Sequence, residues 1–306
     1  MKTIYKLLII LLFTFTQSIS TQQEPQYTQY MYNMSVVNPA YAGSKDVLSL
    51  GFLVREQWVN VDGAPRTFTG FAHAPVGNNL GLGLSIISDK VGPVEELNVY
   101  SDISYTLRTG ENSKLAFGVK FGFTYQSIGL LSLTQVDQND QLFSENSQKT
   151  SPNFGAGLLY YQDDFYVGLS IPNILKTKHF EKSNGIITKA SEEMHAFFTA
   201  GVVFELSDEL KFKPSVLSKF ALHTPLSLDV SANFLLNNKL ELGASYRWDD
   251  SVSGMFNVLV SDNLKIGYAY DHTFSNLGAF NSGSHEIFIL FDFSFIGAQV
   301  KSPRFF

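Results

Sequence analysis

The feature that most constrains this chain is a two-residue alternation that recurs from Val47 almost to the C-terminus. It is clearest between Leu226 and Trp248. Leu226, Leu228, Val230, Ala232, Phe234 and Leu236 alternate with Ser227, Asp229, Ser231 and Asn233; after Asn237-Asn238, Leu240, Leu242, Ala244, Tyr246 and Trp248 alternate with Lys239, Glu241, Gly243, Ser245 and Arg247. Successive side chains of a strand point to opposite faces, so each half has one apolar and one polar face. Asn-Asn tolerates the positive φ of a tight turn, which makes the pair a β-hairpin. Arms of about ten residues suit either a soluble sheet or a tilted strand crossing a bilayer. In the second case the apolar face meets lipid and the polar face lines a lumen.

The rest of the chain decides between these. The same pattern runs through Val47–Arg55, Arg66–Ala74, Leu80–Ile86, Leu97–Arg108, Leu115–Gln126, Phe154–Tyr161, Phe165–Ile171, Glu193–Leu206, Leu210–Phe220, Val252–Val260, Leu264–Tyr270 and Ile287–Phe295, giving about fourteen strands. Short turns near residues 77, 111, 163, 208, 237 and 262 alternate with mostly longer connections near 62, 92, 140, 182, 223, 250 and 279. A soluble sandwich has no reason to sort its loops in this way, whereas outer-membrane barrels join strands by short periplasmic turns and longer external loops. The expected fold is therefore all-β, a transmembrane antiparallel β-barrel of about fourteen strands with both termini periplasmic.

Composition agrees. Charged residues make up only 16% of the chain and aromatic residues 14%, which fits a lipid-facing wall with aromatic girdles, although aromatic-rich soluble sandwiches share it. Lys2 and Lys6, the apolar run Leu7–Phe15 and the small residues Ser18-Ile19-Ser20 form a secretory signal peptide, with cleavage near Ser20 or Thr21. No later run reaches about eighteen apolar residues, so a membrane location requires a barrel. The absence of cysteine excludes disulfides and thiol chemistry, and a net charge of -6 without a basic run gives no reason to expect nucleic acid. The expected organisation is a signal peptide over residues 1–21, a periplasmic or lumen-lying segment over 22–46, the barrel over 47–295 and a periplasmic tail over 296–306.

No catalytic constellation emerges. Histidines 73, 179, 195, 223, 272 and 285 lack metal-binding spacing, and Asp271 and His272, adjacent on a strand, point to opposite faces. No G-x-S-x-G elbow is present. The Gly-x-Gly pairs at 81/83 and 155/157 mark strand bends or close backbone approach rather than phosphate loops. Asp137-Gln138-Asn139-Asp140 has the beginning of a calcium loop, but Leu142 and Gln148 stand where Gly and the bidentate Glu are required. Neither a cofactor nor a metal is expected. Asp102, Arg108, Lys120, Asp229, Glu241, Arg247, Lys265 and Asp271 are candidates for the lumen; their mixed signs fit a salt-bridged or solvated interior better than a selective ion path.

Gln26 to Gly43, QYTQYMYNMSVVNPAYAG, lacks the alternation. Asn38-Pro39 favours a turn and keeps Asn38 extended. Tyr27, Tyr30, Tyr32 and Tyr41 are large amphipathic groups suited to packing in a lumen or against a partner, and the residues alone leave both open. This stretch closely resembles the opening of the PorP/SprF proteins of the type IX secretion and gliding machinery. Arg55-Glu56-Gln57-Trp58, Ala64-Pro65-Arg66-Thr67, Gly81-Leu82-Gly83 and Ser302-Pro303-Arg304-Phe305 are similar to that family as well. The resemblance implies a non-enzymatic outer-membrane barrel with one of two roles: anchoring a secreted surface adhesin through its C-terminal domain, or linking to the motor-associated secretion complex. It implies partner-binding roles for Tyr27, Tyr30, Tyr32, Asn38, Pro39, Tyr41, Arg55, Trp58, Arg66, Arg304 and Phe305. The loops near 128–151 and 173–192, or the lumen, would hold the adhesin, while the N-terminal segment and C-terminal tail would face periplasmic machinery. The rival expectation is a fourteen-stranded porin or transporter for small solutes, hydrophobic ones among them.

Overall fold

The structure, a computed structural model, describes residues 25–129, 146–175, 194–221 and 224–293. It contains the strand segments β1 (Leu48–Glu56), β2 (Arg66–Val76), β3 (Leu80–Val91), β4 (Val94–Arg108), β5 (Lys114–Ile128), β6 (Ser147–Tyr161), β7 (Phe165–Ile171), β8 (His195–Val202), β9 (Phe204–Ser207), β10 (Leu210–Ala221), β11 (Ser227–Leu236), β12 (Leu240–Arg247), β13 (Ser251–Ser261), β14 (Leu264–Thr273) and β15 (Ser284–Phe293). All pair antiparallel with their neighbours, and β1 pairs with β15 as well as β2, so the sheet closes on itself. Segments β8 and β9 both pair with β10 and are two parts of one strand interrupted at Val203, whose N–H donates to the Asp164 carbonyl at 2.7 Å. The result is a closed barrel of fourteen strands. Closure leaves no strand edge in the hydrocarbon region, where an unpaired backbone group costs several kcal/mol.

Alternation sets which side meets lipid. On β3, Leu80, Leu82, Leu84 and Ile86 are exposed on the outer wall while Gly81, Gly83, Ser85 and Ile87 are buried inside. On β5, Phe117, Val119 and Phe121 face out, and Gly118 and Lys120 face in. Aromatic rings stand along the outer wall: Tyr246 stacks on Phe274 near one rim, Phe212 lies between Phe204 and Phe234 near the other, and Phe52, Phe121 and Phe256 are exposed at mid-strand. Leu84→Arg, near the middle of β3, should destabilise the folded barrel by roughly 2–4 kcal/mol, whereas Val76→Arg at a strand end should cost about 0–1. Denaturant titration of folding into lipid vesicles would read both, and equal midpoints would contradict the assignment of the outer face to lipid.

The connections sort as the sequence indicated, with exceptions. One end carries 77–79, 109–113, 162–164, 208–209, 237–239 and 262–263, and Asn237 and Asn238 adopt φ of 50° and 54°. The other end carries 57–65 and 274–283 and the strand ends that flank 129–146, 172–194 and 222–226, but also the two-residue turn Gly92-Pro93 and the short turn 248–250. The expected start of β6 at Phe154 needs correction. The strand begins at Ser147 because Ser147–Asn153 pair with Gly122–Ile128 of β5, and the polar run Ser-Gln-Lys-Thr-Ser gives no alternation to mark it. The stretches expected to be a signal peptide and a C-terminal tail lie outside the described residues, as do Asp137–Asp140 and the larger parts of the loops expected near 128–151 and 173–192. Among the described residues no helix is long and apolar enough to cross a membrane.

Candidate functional site

Every residue from Tyr27 to Ala42 is buried, and it is buried inside the barrel. The segment is built from a 3-10 turn at Tyr30–Tyr32, one α-helical turn at Met34–Val37 and a second 3-10 turn at Pro39–Tyr41. Asn38 is extended, as the following proline demands, and its side chain accepts the Ala40 N–H at 2.9 Å. A segment this short cannot bury a core of its own, so its side chains are ordered by the barrel wall.

At the long-loop end a clamp grips Thr28 and Gln29. Arg55 of β1 is paired with Asp271 of β14 at 2.6 Å and with Glu286 of β15 at 3.2 Å, all three almost wholly buried. Glu286 accepts the backbone N–H groups of Thr28 at 2.9 Å and of Gln29 at 2.7 Å, and the Thr28 hydroxyl donates to Asp271 while accepting from Arg55. The clamp therefore straddles the seam where the first and last strands meet. A carboxylate that accepts two backbone N–H groups and faces a guanidinium has much of the cost of its burial offset.

Lower down, the tyrosines reach the wall. Tyr27 shares a hydrogen bond with Thr69 at 3.0 Å, and Tyr30 donates to Ser215 at 2.9 Å. Tyr32 donates to Glu241 at 2.5 Å, stacks on Phe288 with centroids 4.3 Å apart, and lies under the Lys265 ammonium at 4.9 Å. Glu241 is also paired with Lys213 at 2.8 Å. Tyr41 meets His73 edge-on at 5.5 Å. Lumen pairs away from the segment include Lys120 with Asp102 at 3.1 Å and Arg247 with Asp229 at 2.6 Å.

The opposite side of the segment is held by backbone proximity instead of charge. A Cβ on Gly118 would lie 2.1 Å from the Ala40 nitrogen, and one on Gly81 would lie 2.1 Å from the Ala42 carbonyl oxygen. Asn38 donates to the Leu158 carbonyl at 3.0 Å, Ser170 to that of Val37 at 2.8 Å and Ser104 to that of Ala42 at 2.6 Å. At the short-turn end the Gly43 N–H donates to His73 at 3.2 Å and Lys45 pairs with Asp292 at 3.2 Å. Gly118→Val should displace the segment and destabilise the protein by about 1–3 kcal/mol through overpacking. Gly254→Ala, where an added Cβ meets nothing within 4 Å, serves as the silent control in the same unfolding measurement.

The sequence-derived candidates therefore separate. Tyr27, Tyr30, Tyr32, Asn38, Pro39, Tyr41 and Arg55 meet in the lumen against the barrel's own wall. Trp58, half-buried, donates its backbone N–H to Ser284 at 3.1 Å in the loop above the clamp, and Arg66, exposed, pairs with Glu56 at 3.2 Å at the same rim. Arg304 and Phe305 lie outside the described residues. Of the expected lumen charges, Asp102, Lys120, Asp229, Glu241, Arg247 and Asp271 are buried there, and Lys265 is partly so. Arg108 needs correction: as the last residue of β4 it is exposed, and it lines a mouth cavity of about 250 Å³ with Asp46, Lys114 and Tyr161. Thr28, Gln29, Lys213 and Glu286 are further site residues that the sequence reading missed: Lys213 stands on the polar face of its strand, whereas Glu286 shares its inward face with Phe288 and Leu290, which hides it. Asp271 is buried and His272 exposed, so they do not form a pair. Among the described residues no cluster of three metal-ligating side chains occurs.

A closed antiparallel barrel with an apolar, aromatic-rich wall and charged pairs in its lumen is an outer-membrane protein, here with its lumen occupied by its own N-terminal segment. The family model described as type IX secretion system membrane protein PorP/SprF matches residues 19–291, and the chain belongs to this family. No curated protein matches the sequence. Among solved structures, the CymD monoaromatic hydrocarbon channel aligns with a TM-score of 0.52 and 14% identity, covering 88% of this chain and 94% of that one. The Acinetobacter baumannii outer membrane protein Omp33 aligns at 0.49 and 10%, covering 82% and 100%, and a Pseudomonas aeruginosa FadL homologue at 0.47 and 12%, covering 90% and 96%. At such identities the likeness to CymD is one of fold. Family and fold are those of a secretion component and a barrel, not of a known enzyme, and they give the protein a secretion-related role in the outer membrane.

Proposed function

We propose that the chain serves type IX secretion without catalysis, by binding a secreted surface adhesin through the adhesin's C-terminal domain and holding it at the cell surface. The observation that carries this reading is the packed lumen: Tyr27–Ala42 are buried against the wall on both sides. A barrel filled in this way offers a partner its rim rather than its bore. In this reading the short turns face the periplasm and the long loops face outwards. The outward rim is braced: Val59 donates to the Gly283 carbonyl at 2.9 Å, Ser282 to that of Val59 at 2.9 Å and Gly92 to that of Gly63 at 2.8 Å. Trp58 and Arg66 belong to this rim and are its partner-binding candidates. A second reading, linkage to the motor-associated complex, draws on the periplasmic mouth, where Asp46, Arg108 and Lys114 surround a polar cavity.

Planar-bilayer recording of the intact protein separates these protein-binding roles from a porin or transporter for small solutes. The expected trace shows no sustained conductance, and vesicles carrying the protein show no solute-dependent swelling. Steady open-channel current would overturn the protein-binding reading in favour of solute transport.

A further inference from the structure

We infer that the N-terminal segment is threaded through the barrel from the long-loop side, so that Pro25, where the described chain begins, opens on the same side as the long loops rather than with the short turns, contrary to the periplasmic N-terminus expected from the sequence. The barrel strands provide the ruler. β1 runs from the short-turn end at Leu48 to the long-loop end at Glu56, and Arg55, which holds Thr28, is its second-last residue. Asp271 and Glu286, the other members of the clamp, lie two residues from the long-loop ends of β14 and β15. Tyr27 meets Thr69 in the same half of β2. Proceeding along the chain, Tyr32 reaches Glu241, the second residue of β12, which starts at the short-turn end. Asn38 and Ala40 contact Leu158 and Gly118, four residues or fewer from the short-turn ends of β6 and β5. Lys45 meets Asp292, next to the last residue of β15. The path descends from Thr28 to Lys45, and the chain joins β1 only after crossing the lumen.

The consequence is that the two ends of the segment serve different compartments. Residues 43–46 belong to the short-turn mouth, where Gly43 and Asp46 line the cavity with Arg108 and Lys114. Pro25 and Gln26, half-buried where Tyr27–Ala42 are fully buried, belong to the other end. The statement that this other end is the cell surface rests on the reading that the long loops face outwards.

The chain has no cysteine, so single cysteines report position without background. Three variants are labelled with a membrane-impermeant maleimide on intact cells and again after the outer membrane is permeabilised: Pro25→Cys, Asp62→Cys in the loop 57–65, and Glu111→Cys in the turn 109–113. The expected result is that Pro25→Cys follows Asp62→Cys, both labelled on intact cells, while Glu111→Cys is labelled only after permeabilisation. Labelling of Pro25→Cys in step with Glu111→Cys overturns the threading. If Asp62→Cys and Glu111→Cys exchange their behaviour, the assignment of loops to compartments fails, and threading is still judged by which of the two Pro25→Cys follows. Should Pro25→Cys resist labelling in both conditions, an epitope inserted immediately before Pro25 decides: antibody binding on the Asp62 side supports the inference, and binding on the Glu111 side overturns it.

Discussion

Deletion of residues 22–43 should convert a closed barrel into an open one and abolish adhesin display at the cell surface. The wall does not depend on the segment for its backbone hydrogen bonds, because each strand pairs with two neighbours around the closed sheet. What the segment supplies is lumen filling. Without it Arg55, Asp271, Glu286 and Glu241 would be hydrated by incoming water instead of being bound by Thr28, Gln29 and Tyr32. The expected mutant remains folded, resisting extraction from the outer membrane and keeping its strand content by circular dichroism. It passes sustained current in planar bilayers where the full chain does not. A folded, non-conducting deletion would contradict the segment's role as the plug, and normal adhesin display would contradict its role in the proposed function.

Arg55→Met should be the most damaging single substitution in the lumen. It removes the one cation of the clamp and leaves Asp271 and Glu286 buried side by side on adjacent strands, with Thr28 and Gln29 held by carboxylates that repel each other. Breaking a buried pair from one side typically costs about 3–5 kcal/mol, because the partner's desolvation is no longer offset. The triple variant Arg55→Met, Asp271→Asn, Glu286→Gln removes the stranded charges and should recover much of that loss. Denaturant midpoints of the two variants in lipid vesicles make the comparison. Equal destabilisation would show that the residues act through shape and not through charge. Tyr32→Phe is milder, since Glu241 retains Lys213: removing a hydrogen bond to a charged group costs about 1.5–3 kcal/mol.

The strands were legible wherever one face meets lipid and the other the lumen. Leu115–Gln126 and Leu226–Trp248 state their alternation in residue type, and Asn237-Asn238 supplies the turn with the positive φ it needs. Legibility fails where the physical contrast fails. Ser147–Asn153 is polar on both faces, so pairing with β5 shows it to be strand and periodicity does not. The N-terminal segment illustrates a different limit. Its tyrosines announce burial, but whether against a partner or within the chain depends on whether the lumen has room for them. That room is made by small residues far away in sequence: Gly81, whose spacing to Gly83 points to a strand bend or a close backbone approach without saying to what, and Gly118, read from the sequence alone only as a strand glycine. Arg55 stood out through the family resemblance, yet its partners Asp271 and Glu286 come together only when β1 meets β14 and β15 at the closing seam. Arg108 shared the alternation of the lumen residues, but its position at the last residue of β4 carries it to the mouth.

The most direct measurement is affinity capture of the tagged protein from native outer membranes in mild detergent, with cross-links mapped by mass spectrometry. The expected result is a large secreted protein cross-linked to the long-loop rim that carries Trp58 and Arg66, with no partner cross-linked within the buried stretch Tyr27–Ala42. Cross-links confined to periplasmic components at the short-turn mouth would transfer the role to the motor-linked reading. A barrel recovered alone, without any secreted or periplasmic partner, would contradict the central claim that this protein works by holding another.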